Sequence, residues 1–197
     1  RTSPALIRML VNRNEGLDWN AMRVHPVSLS YEWDPCDAMK VRELLLREAN
    51  DGAYEKQVGE DERSMKQGLF GEKGSVHVAF CAPLQWQDPP NGVRPAVNMA
   101  QLMDQEIHAA MKEWPSQHWA ASQLLDEVDS LPLQWPKDWQ PDIVSETISE
   151  QCEERLRVMV EDMQDLPFTP EQIRLKWCQI TATPLLNNAI ALEETLA

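Results

Sequence analysis

Residues 24–40 decide the fold and read VHPVSLSYEWDPCDAMK. Over residues 24–31, apolar and polar side chains alternate and include β-branched and aromatic residues, which is typical of a strand. Pro26 cannot donate a hydrogen bond to a neighbouring strand, so it favours the beginning of the strand or a bulge. Asp34 then supplies a capping side chain, and the proline after it suits the first position of a helix. The stretch therefore predicts a strand that turns at once into a helix over residues 35–49.

A second strand is predicted at residues 75–82 (SVHVAFCA), where the alternation returns before Pro83 ends it. A short helix over residues 60–69 and a glycine-rich turn precede this strand. About 40 residues separate the two strands, which is too long for a hairpin loop, so a helical connection within one sheet is expected. If the strands pair in parallel, that connection is a right-handed crossover. The first half of the chain is thus predicted to be α/β.

The second half carries only helical patterns beyond a proline-rich segment at residues 88–95. Helices are predicted over residues 97–112, 116–128, 141–163, 170–180 and 185–196. The sequence therefore predicts an α/β part at residues 1–95, followed by an all-α extension at residues 96–197 that packs on it. Four tryptophans of the extension favour this packing because their large rings need apolar partners. They are Trp114, Trp119, Trp135 and Trp139.

The formal net charge is −14, and most of it falls in the second half. Residues 1–95 hold 12 basic and 14 acidic side chains, whereas residues 96–197 hold 6 and 18. An acidic surface repels phosphate backbones, so the charge excludes nucleic acid as a partner. No apolar run approaches the roughly 18 residues that a membrane-spanning helix needs. The cysteines lie far apart and form no C-x-x-C pair, which predicts reduced thiols in the cytoplasm and no metal site.

One end of the first strand is the best local candidate for a binding site. Alternation places His25 and Tyr31 on one side of the strand and Glu32 on the other. Strand ends in α/β sheets often border ligand crevices, which favours a binding role here. The residues by themselves favour a plainer interpretation, in which Glu32 is solvated and Asp34 caps the helix. The chain contains no Gly-x-Ser-x-Gly, Gly-x-Gly-x-x-Gly, Walker or His-Glu-x-x-His signature of catalysis.

The segment VHPVSLSYEWDP resembles the fourth conserved block of the glycerol-phosphate and lysophosphatidate acyltransferases, whose strand reads Val-Pro-Val-x-Ile-Ser-Tyr-Glu. Residues 34–40, DPCDAMK, match residue for residue the run that continues this block in a bacterial subgroup of the family. The likeness extends over residues 54–84, with Cys81 and Ala82 where a Gly-Glu pair is usual. It is looser in the second half, where Thr183 begins an element similar to the family's closing Asn-Pro-x-x-Asn.

The resemblance implies that the chain is the C-terminal part of an acyltransferase of phospholipid synthesis, with an αβ domain built on a mixed sheet. In that family a His-x-x-x-x-Asp pair supplies the catalytic base. No such pair occurs in this chain, so the catalytic residues are expected upstream of Arg1. The residues that the resemblance implies for substrate binding are Arg1, Pro26, Tyr31 and Glu32. It implies no metal and no bound cofactor, because the acyl-CoA or acyl-carrier protein is a substrate.

The implied partners are a glycerol-phosphate-type acceptor, an acyl thioester and, through the upstream part, a membrane surface. The implied location is the cytoplasm, with a peripheral position at the inner face of the membrane as an open alternative. Two other interpretations also stay open. The chain is either a non-catalytic, acidic helical interaction module or a different α/β enzyme whose site lies within residues 1–95.

Overall fold

The computed structural model describes residues 2–12, 18–125 and 135–196. In this part of the chain the helices and strands are, in order, α1 (Pro4–Asn12), α2 (Trp19–Met22), β1 (Val27–Tyr31), α3 (Asp37–Ala49), α4 (Glu60–Phe70), β2 (Val76–Phe80), α5 (Pro95–Ala109), α6 (Pro115–Ser122), α7 (Glu146–Asp162) and α8 (Pro170–Leu196). The fold is mixed, with two strands in the first half and helices throughout the second. The predicted fold class is confirmed at this coarse level.

β1 and β2 form a two-stranded antiparallel sheet. The Cys81 N–H donates to the Pro26 carbonyl at 3.0 Å, and the Leu84 N–H donates to the Val24 carbonyl at 2.8 Å, so residue numbers rise along one strand as they fall along the other. The prediction that both strands share one sheet is confirmed, whereas the parallel pairing considered for them does not occur. Two successive helices, α3 and α4, connect the strands and bring the chain back to the end where β1 stopped. A parallel pair needs a connection that returns to the opposite end.

The chain divides into two compact units. The first contains residues 1–30, 77–112 and 187–197, and the second contains residues 31–76 and 113–186. Each unit therefore draws on both sides of the boundary predicted after residue 95. The assignment of residues 1–95 to a catalytic domain and of 96–197 to an extension stays a prediction.

The core of the second unit lies between α3, α6, α7 and the first part of α8. Val41 of α3 packs in one apolar cluster with Leu156 of α7 and Trp177 of α8. Trp119 of α6 is buried in the same cluster, with its ring 6.0 Å from that of Trp177 in an edge-on arrangement. α6, α7 and α8 of the second half thus pack against α3 of the first half within this unit.

The core of the first unit is smaller and involves α1, α2 and α5. Ile7 of α1 and Met99 of α5 are both fully buried there. Trp19 of α2 is buried as well, and its indole N–H donates to the Leu84 carbonyl at 2.8 Å, so its polar edge is satisfied.

Several predicted helix boundaries are wrong. α6 ends at Ser122 instead of residue 128, and residues 126–128 of that prediction lie outside the described residues. α7 begins at Glu146 instead of residue 141, because the Ser145 side chain accepts a hydrogen bond from the Ile148 N–H at 3.4 Å and caps the helix. α8 is continuous through Pro184, where a break was predicted. Pro184 has no backbone N–H to donate, so α8 loses one hydrogen bond there, but the helix does not end.

Candidate functional site

β1 carries its apolar side chains outward and its hydroxyl side chains inward. Val27 and Leu29 are exposed, whereas Pro26, Ser28 and Ser30 are buried. Among the residues that the structure describes, neither serine hydroxyl has a hydrogen-bond partner. This is the reverse of the usual arrangement in a half-buried strand, because burying an unpaired hydroxyl is unfavourable and exposing apolar side chains gains nothing.

Glu32 is fixed to the beginning of the returning chain. Its N–H donates to the Ser75 carbonyl at 2.9 Å, and its carboxylate Oε2 accepts from the Ser75 N–H at 2.8 Å. Gly74, with φ of +60°, makes this close approach possible, because a Cβ at that position would lie 2.7 Å from Oε2. The Ser116 hydroxyl donates to the Glu32 carbonyl at 2.7 Å. Glu32 was predicted either to bind substrate or to be solvated. Its carboxylate also stabilises the turn before β2 through the Ser75 N–H.

The other predicted substrate-binding residues have different surroundings. Tyr31 is half-buried, and its hydroxyl makes no hydrogen bond within the described ranges. Pro26 is buried in the first unit, where its carbonyl accepts from the Cys81 N–H. Arg1 lies outside the described residues. Tyr31 and Glu32 both belong to the second unit, on opposite faces by strand alternation.

Asp37, the first residue of α3, is the centre of a buried polar cluster in the second unit. The Arg155 guanidinium donates to it twice, from Nε to Oδ2 at 2.5 Å and from Nη2 to Oδ1 at 3.0 Å. The Trp177 indole N–H donates to Oδ2 at 2.7 Å, and Arg155 also donates to the Asp34 carbonyl at 2.8 Å. No local sequence pattern indicates Arg155, 118 residues away, as the partner of Asp37.

A cavity of about 620 Å³ opens beside this cluster. Its walls are Trp33, Pro35, Asp37, Ala38, Gln67, Glu72, Glu150, Gln151, Glu154, Arg155, Val158, Met159 and Asp162. Arg155 is its one cationic wall residue, and that guanidinium is already occupied by Asp37 and lies 5.6 Å from the centre of the Trp33 ring. The cavity therefore offers carboxylates and apolar surface but no uncommitted cation for an anionic substrate.

A second cavity, of about 710 Å³, lies between α3 and α4 and is called here the α3–α4 groove. Its walls are Pro35, Ala38, Met39, Arg42, Gln57, Glu60, Arg63, Lys66, Gln67 and Phe70. Glu60 accepts from the Tyr54 hydroxyl at 2.7 Å and from the Gln57 N–H at 2.9 Å. These two hydrogen bonds hold the pKa of Glu60 below its usual value, so the carboxylate is charged and satisfied at neutral pH. Burial, and then the bond to Glu60, raise the pKa of Tyr54.

His118 of α6 has protein partners at both ring nitrogens. Its Nδ1 accepts from the Asp142 N–H at 3.0 Å, and its Nε2 lies 3.1 Å from a Glu113 carboxylate oxygen. The ring stacks on Trp139, which in turn stacks on Trp135 with 4.2 Å between ring centres. Because both ring nitrogens are engaged by protein groups, His118 presents no nitrogen that could take a proton from a substrate.

Cys152 and Cys178 are buried in the core of the second unit, whereas Cys36 and Cys81 are half-buried. The four cysteines form no disulfide, and burial raises the pKa of Cys152 to about 12, so this thiol stays protonated at neutral pH. Within residues 2–12, 18–125 and 135–196, no group of three or more His, Cys, Asp or Glu side chains is arranged to hold a metal ion. In the same part of the chain, none of the helices combines the length and the apolar character that a membrane span requires.

The buried hydrogen bonds and ion pairs described above thus lie mainly between the end of β1 and the start of α3, and on the helices that pack against this segment. Comparisons with protein-family models, with curated proteins and with solved structures find no match to this chain.

Proposed function

We propose that the chain is the C-terminal part of an acyltransferase that transfers a fatty acyl group from a thioester to glycerol 3-phosphate or lysophosphatidate. The observation that carries this proposal is the contiguous run DPCDAMK at residues 34–40, directly after the strand VHPVSLSYE. A run of that length with cysteine and methionine in fixed places is hard to reach by chance. The proposed fold is correspondingly the later part of an αβ acyltransferase domain with a mixed sheet, followed by helices.

The local structure of this run supports the proposal. Pro35 is buried, Asp37 is buried and ion-paired, and the Asp34 carboxylate accepts from the Cys36 N–H at 2.9 Å. Through this burial, ion pair and hydrogen bond, the three residues hold the segment that connects β1 to α3 in place. The motif therefore has the character of a fixed scaffold element, which suits a segment that forms the wall of a site whose reacting groups lie elsewhere.

The two-stranded sheet also suits a part of a larger α/β domain. Val27, Leu29, Val78 and Phe80 leave an apolar face exposed, and Phe80 is 78% exposed. Sheets of α/β enzymes are covered on both faces, so such a surface is expected where further strands or helices of the same domain would pack.

In this proposal the catalytic base lies upstream of Arg1, and Arg1, Pro26, Tyr31 and Glu32 shape the substrate site. The base must reach the acceptor hydroxyl to within about 2.6–3.2 Å. The attack on the thioester needs no metal or resident cofactor, and the acyl donor is an acyl-CoA or an acyl-carrier protein. The proposed enzyme works in the cytoplasm or at the inner face of the membrane.

One observation favours the alternative of a non-catalytic interaction module. The exposed apolar face of the sheet could equally pack on a separate protein, and the acidic second half would then act as a soluble scaffold. The two proposals differ in whether acyl transfer depends on residues of this chain.

The test is acyl transfer from a radiolabelled thioester, measured on this chain and on the same chain joined to its upstream coding sequence. We expect no transfer by the chain alone, because a positioned base contributes typically 10²–10⁴-fold and phosphate positioning is lost with it. In the longer protein, Glu32→Ala and Pro26→Ala should reduce turnover or acceptor binding more than His108→Ala does. Activity of the chain alone that disappears on changing His25 or His108 would refute the upstream base. A longer protein that transfers no acyl group would favour the interaction module.

A further inference from the structure

The α3–α4 groove has the charge and the shape of a site for an anion. Its walls carry three cationic side chains, Arg42, Arg63 and Lys66, against one carboxylate. That carboxylate, Glu60, already accepts the Tyr54 hydroxyl and the Gln57 N–H, so its lone pairs face protein donors. In a chain with a net charge of −14, a cavity wall with this excess of cations is unusual.

The cations are only partly committed to protein partners. The Arg63 guanidinium has neither a hydrogen bond nor an ion pair with any residue in the described ranges. Arg42 makes one long contact, from Nη1 to the Tyr54 hydroxyl at 3.4 Å. Lys66 pairs with Glu62 at 2.8 Å, but both side chains are about two-thirds exposed, and such pairs contribute little. Two guanidinium groups and an exposed ammonium are therefore available to a ligand, and phosphate suits the guanidinium fork best.

The positions of these side chains follow from helix geometry. Arg63, Lys66, Gln67 and Phe70 are spaced at i, i+3, i+4 and i+7, which places them along one face of α4. Met39 and Arg42 lie one turn apart on α3 and form the opposite wall. The site is thus built on two regular helices, and it does not depend on a loop for its shape.

The groove also has an apolar part. Met39, Ala38 and Pro35 line it together with Phe70, whose side chain is 84% exposed. Covering this ring would remove a large apolar surface from water, which a small inorganic anion cannot do. The volume of about 710 Å³ falls in the range of sites for small organic molecules.

From these observations we infer that the α3–α4 groove binds a phosphate monoester that carries an apolar chain, with the phosphate on Arg42 and Arg63 and the chain against Met39 and Phe70. The inference concerns a site other than Pro26, Tyr31 and Glu32, and it does not depend on the acyltransferase proposal. The ligand chemistry has two sources, a single amphiphilic molecule in solution or a lipid headgroup in a membrane.

The test uses octyl phosphate below its micelle concentration, with inorganic phosphate and octyl glucoside as probes for the anion and the chain alone. Calorimetric titration of the full chain at low salt should show octyl phosphate binding more tightly than either probe. Arg63→Ala should weaken octyl phosphate roughly tenfold or more, because charge-assisted hydrogen bonds are lost. Phe70→Ser should reduce octyl phosphate to the affinity of inorganic phosphate.

Arg157→Ala is the matched control, since it removes the same charge from an exposed position of α7 in the same unit, where Arg157 pairs with Glu154 and Glu161. It should leave the affinity for octyl phosphate unchanged, and circular dichroism checks that every variant is folded. Equal weakening by Arg157→Ala and Arg63→Ala would overturn the inference, as would binding that survives the double change Arg42→Ala, Arg63→Ala. Equal binding of octyl glucoside and octyl phosphate would overturn it too.

A sedimentation assay with phosphatidylglycerol vesicles distinguishes the two sources. Co-sedimentation that the double change abolishes identifies a membrane headgroup as the ligand. Binding of octyl phosphate without co-sedimentation identifies a soluble phosphate monoester.

Discussion

Asp37 illustrates how one side chain can have a local task and a long-range task at once. Its Oδ1 accepts from the Ala38 N–H at 2.7 Å in the first turn of α3, and both carboxylate oxygens also accept from Arg155, 118 residues away. The local task is readable from the sequence because it depends on neighbouring residues. The pairing with Arg155 depends on α7 packing beside α3, which no local pattern contains.

Breaking this pair is expected to be costly. Asp37→Ala leaves a partly buried guanidinium and the Trp177 indole N–H without their acceptor, which should lower the free energy of unfolding by about 3–5 kcal/mol. Urea denaturation followed by tryptophan fluorescence measures the loss. Glu161→Gln is the control, because it breaks an exposed pair with Arg157 and should cost less than about 1 kcal/mol. Equal losses in the two variants would show that the Asp37 cluster does not hold the unit together.

Helix ends show the same division between local and distant causes. α3 begins at Asp37, two residues later than predicted, and Cys36 occupies the N-cap position predicted for Asp34, whereas α4 was predicted to within a residue at each end. The start of α7 was placed five residues too early, since Pro141 offers a plausible first position, whereas Ser145 supplies the capping side chain. α8 runs through Pro184, because the packing of Leu185 and Leu186 in buried positions outweighs one lost backbone hydrogen bond.

The cap of α7 can be tested alone. Ser145→Ala should lower the free energy of unfolding by about 0.5–2 kcal/mol, because the Ile148 N–H loses its acceptor. Ser145→Asp should retain stability, since aspartate caps as well and favours the positive helix end. Ser149→Ala, four residues farther along the same helix, serves as the control and should have little effect. Thermal unfolding followed by circular dichroism compares the three. If the Ser145→Ala variant is as stable as the original, the start of α7 is determined by packing and not by the side-chain cap.

At the scale of the whole molecule, the most informative surface is the exposed apolar face of the sheet. Leu29 and Phe80 are exposed on this face, whereas Ser28 and Ser30 of β1 point to the opposite, buried side. This exposed apolar face is therefore suited to packing against another apolar surface.

Phe80→Thr tests that interpretation. In this chain the substitution should change the free energy of unfolding by less than about 0.5 kcal/mol, because the ring is exposed and surface changes are nearly neutral. In the protein that includes the upstream sequence, the same substitution should destabilise by about 3 kcal/mol or more if the ring becomes a core residue. Chemical denaturation of both proteins gives the comparison. If Phe80→Thr leaves the free energy of unfolding of the longer protein unchanged as well, the face is not part of that protein's core. This result would favour a surface that binds another partner.

The sequence by itself determined both strands and the approximate places of most helices, because alternation, helical spacing, capping residues and proline act over a few neighbouring positions. It also determined that residues 24–31 and 75–82 belong to one sheet and that Trp114 and Trp119 are buried. Only the tertiary structure decided the antiparallel direction of the strands, which follows from how α3 and α4 return the chain. It also decided the pairing of Asp37 with Arg155, the bracing of Glu32 at Gly74 and Ser75, and the meeting of Arg42 with Arg63 in one groove. These features join residues from separate segments, and their energies depend on burial and distance, which exist only once the helices have packed.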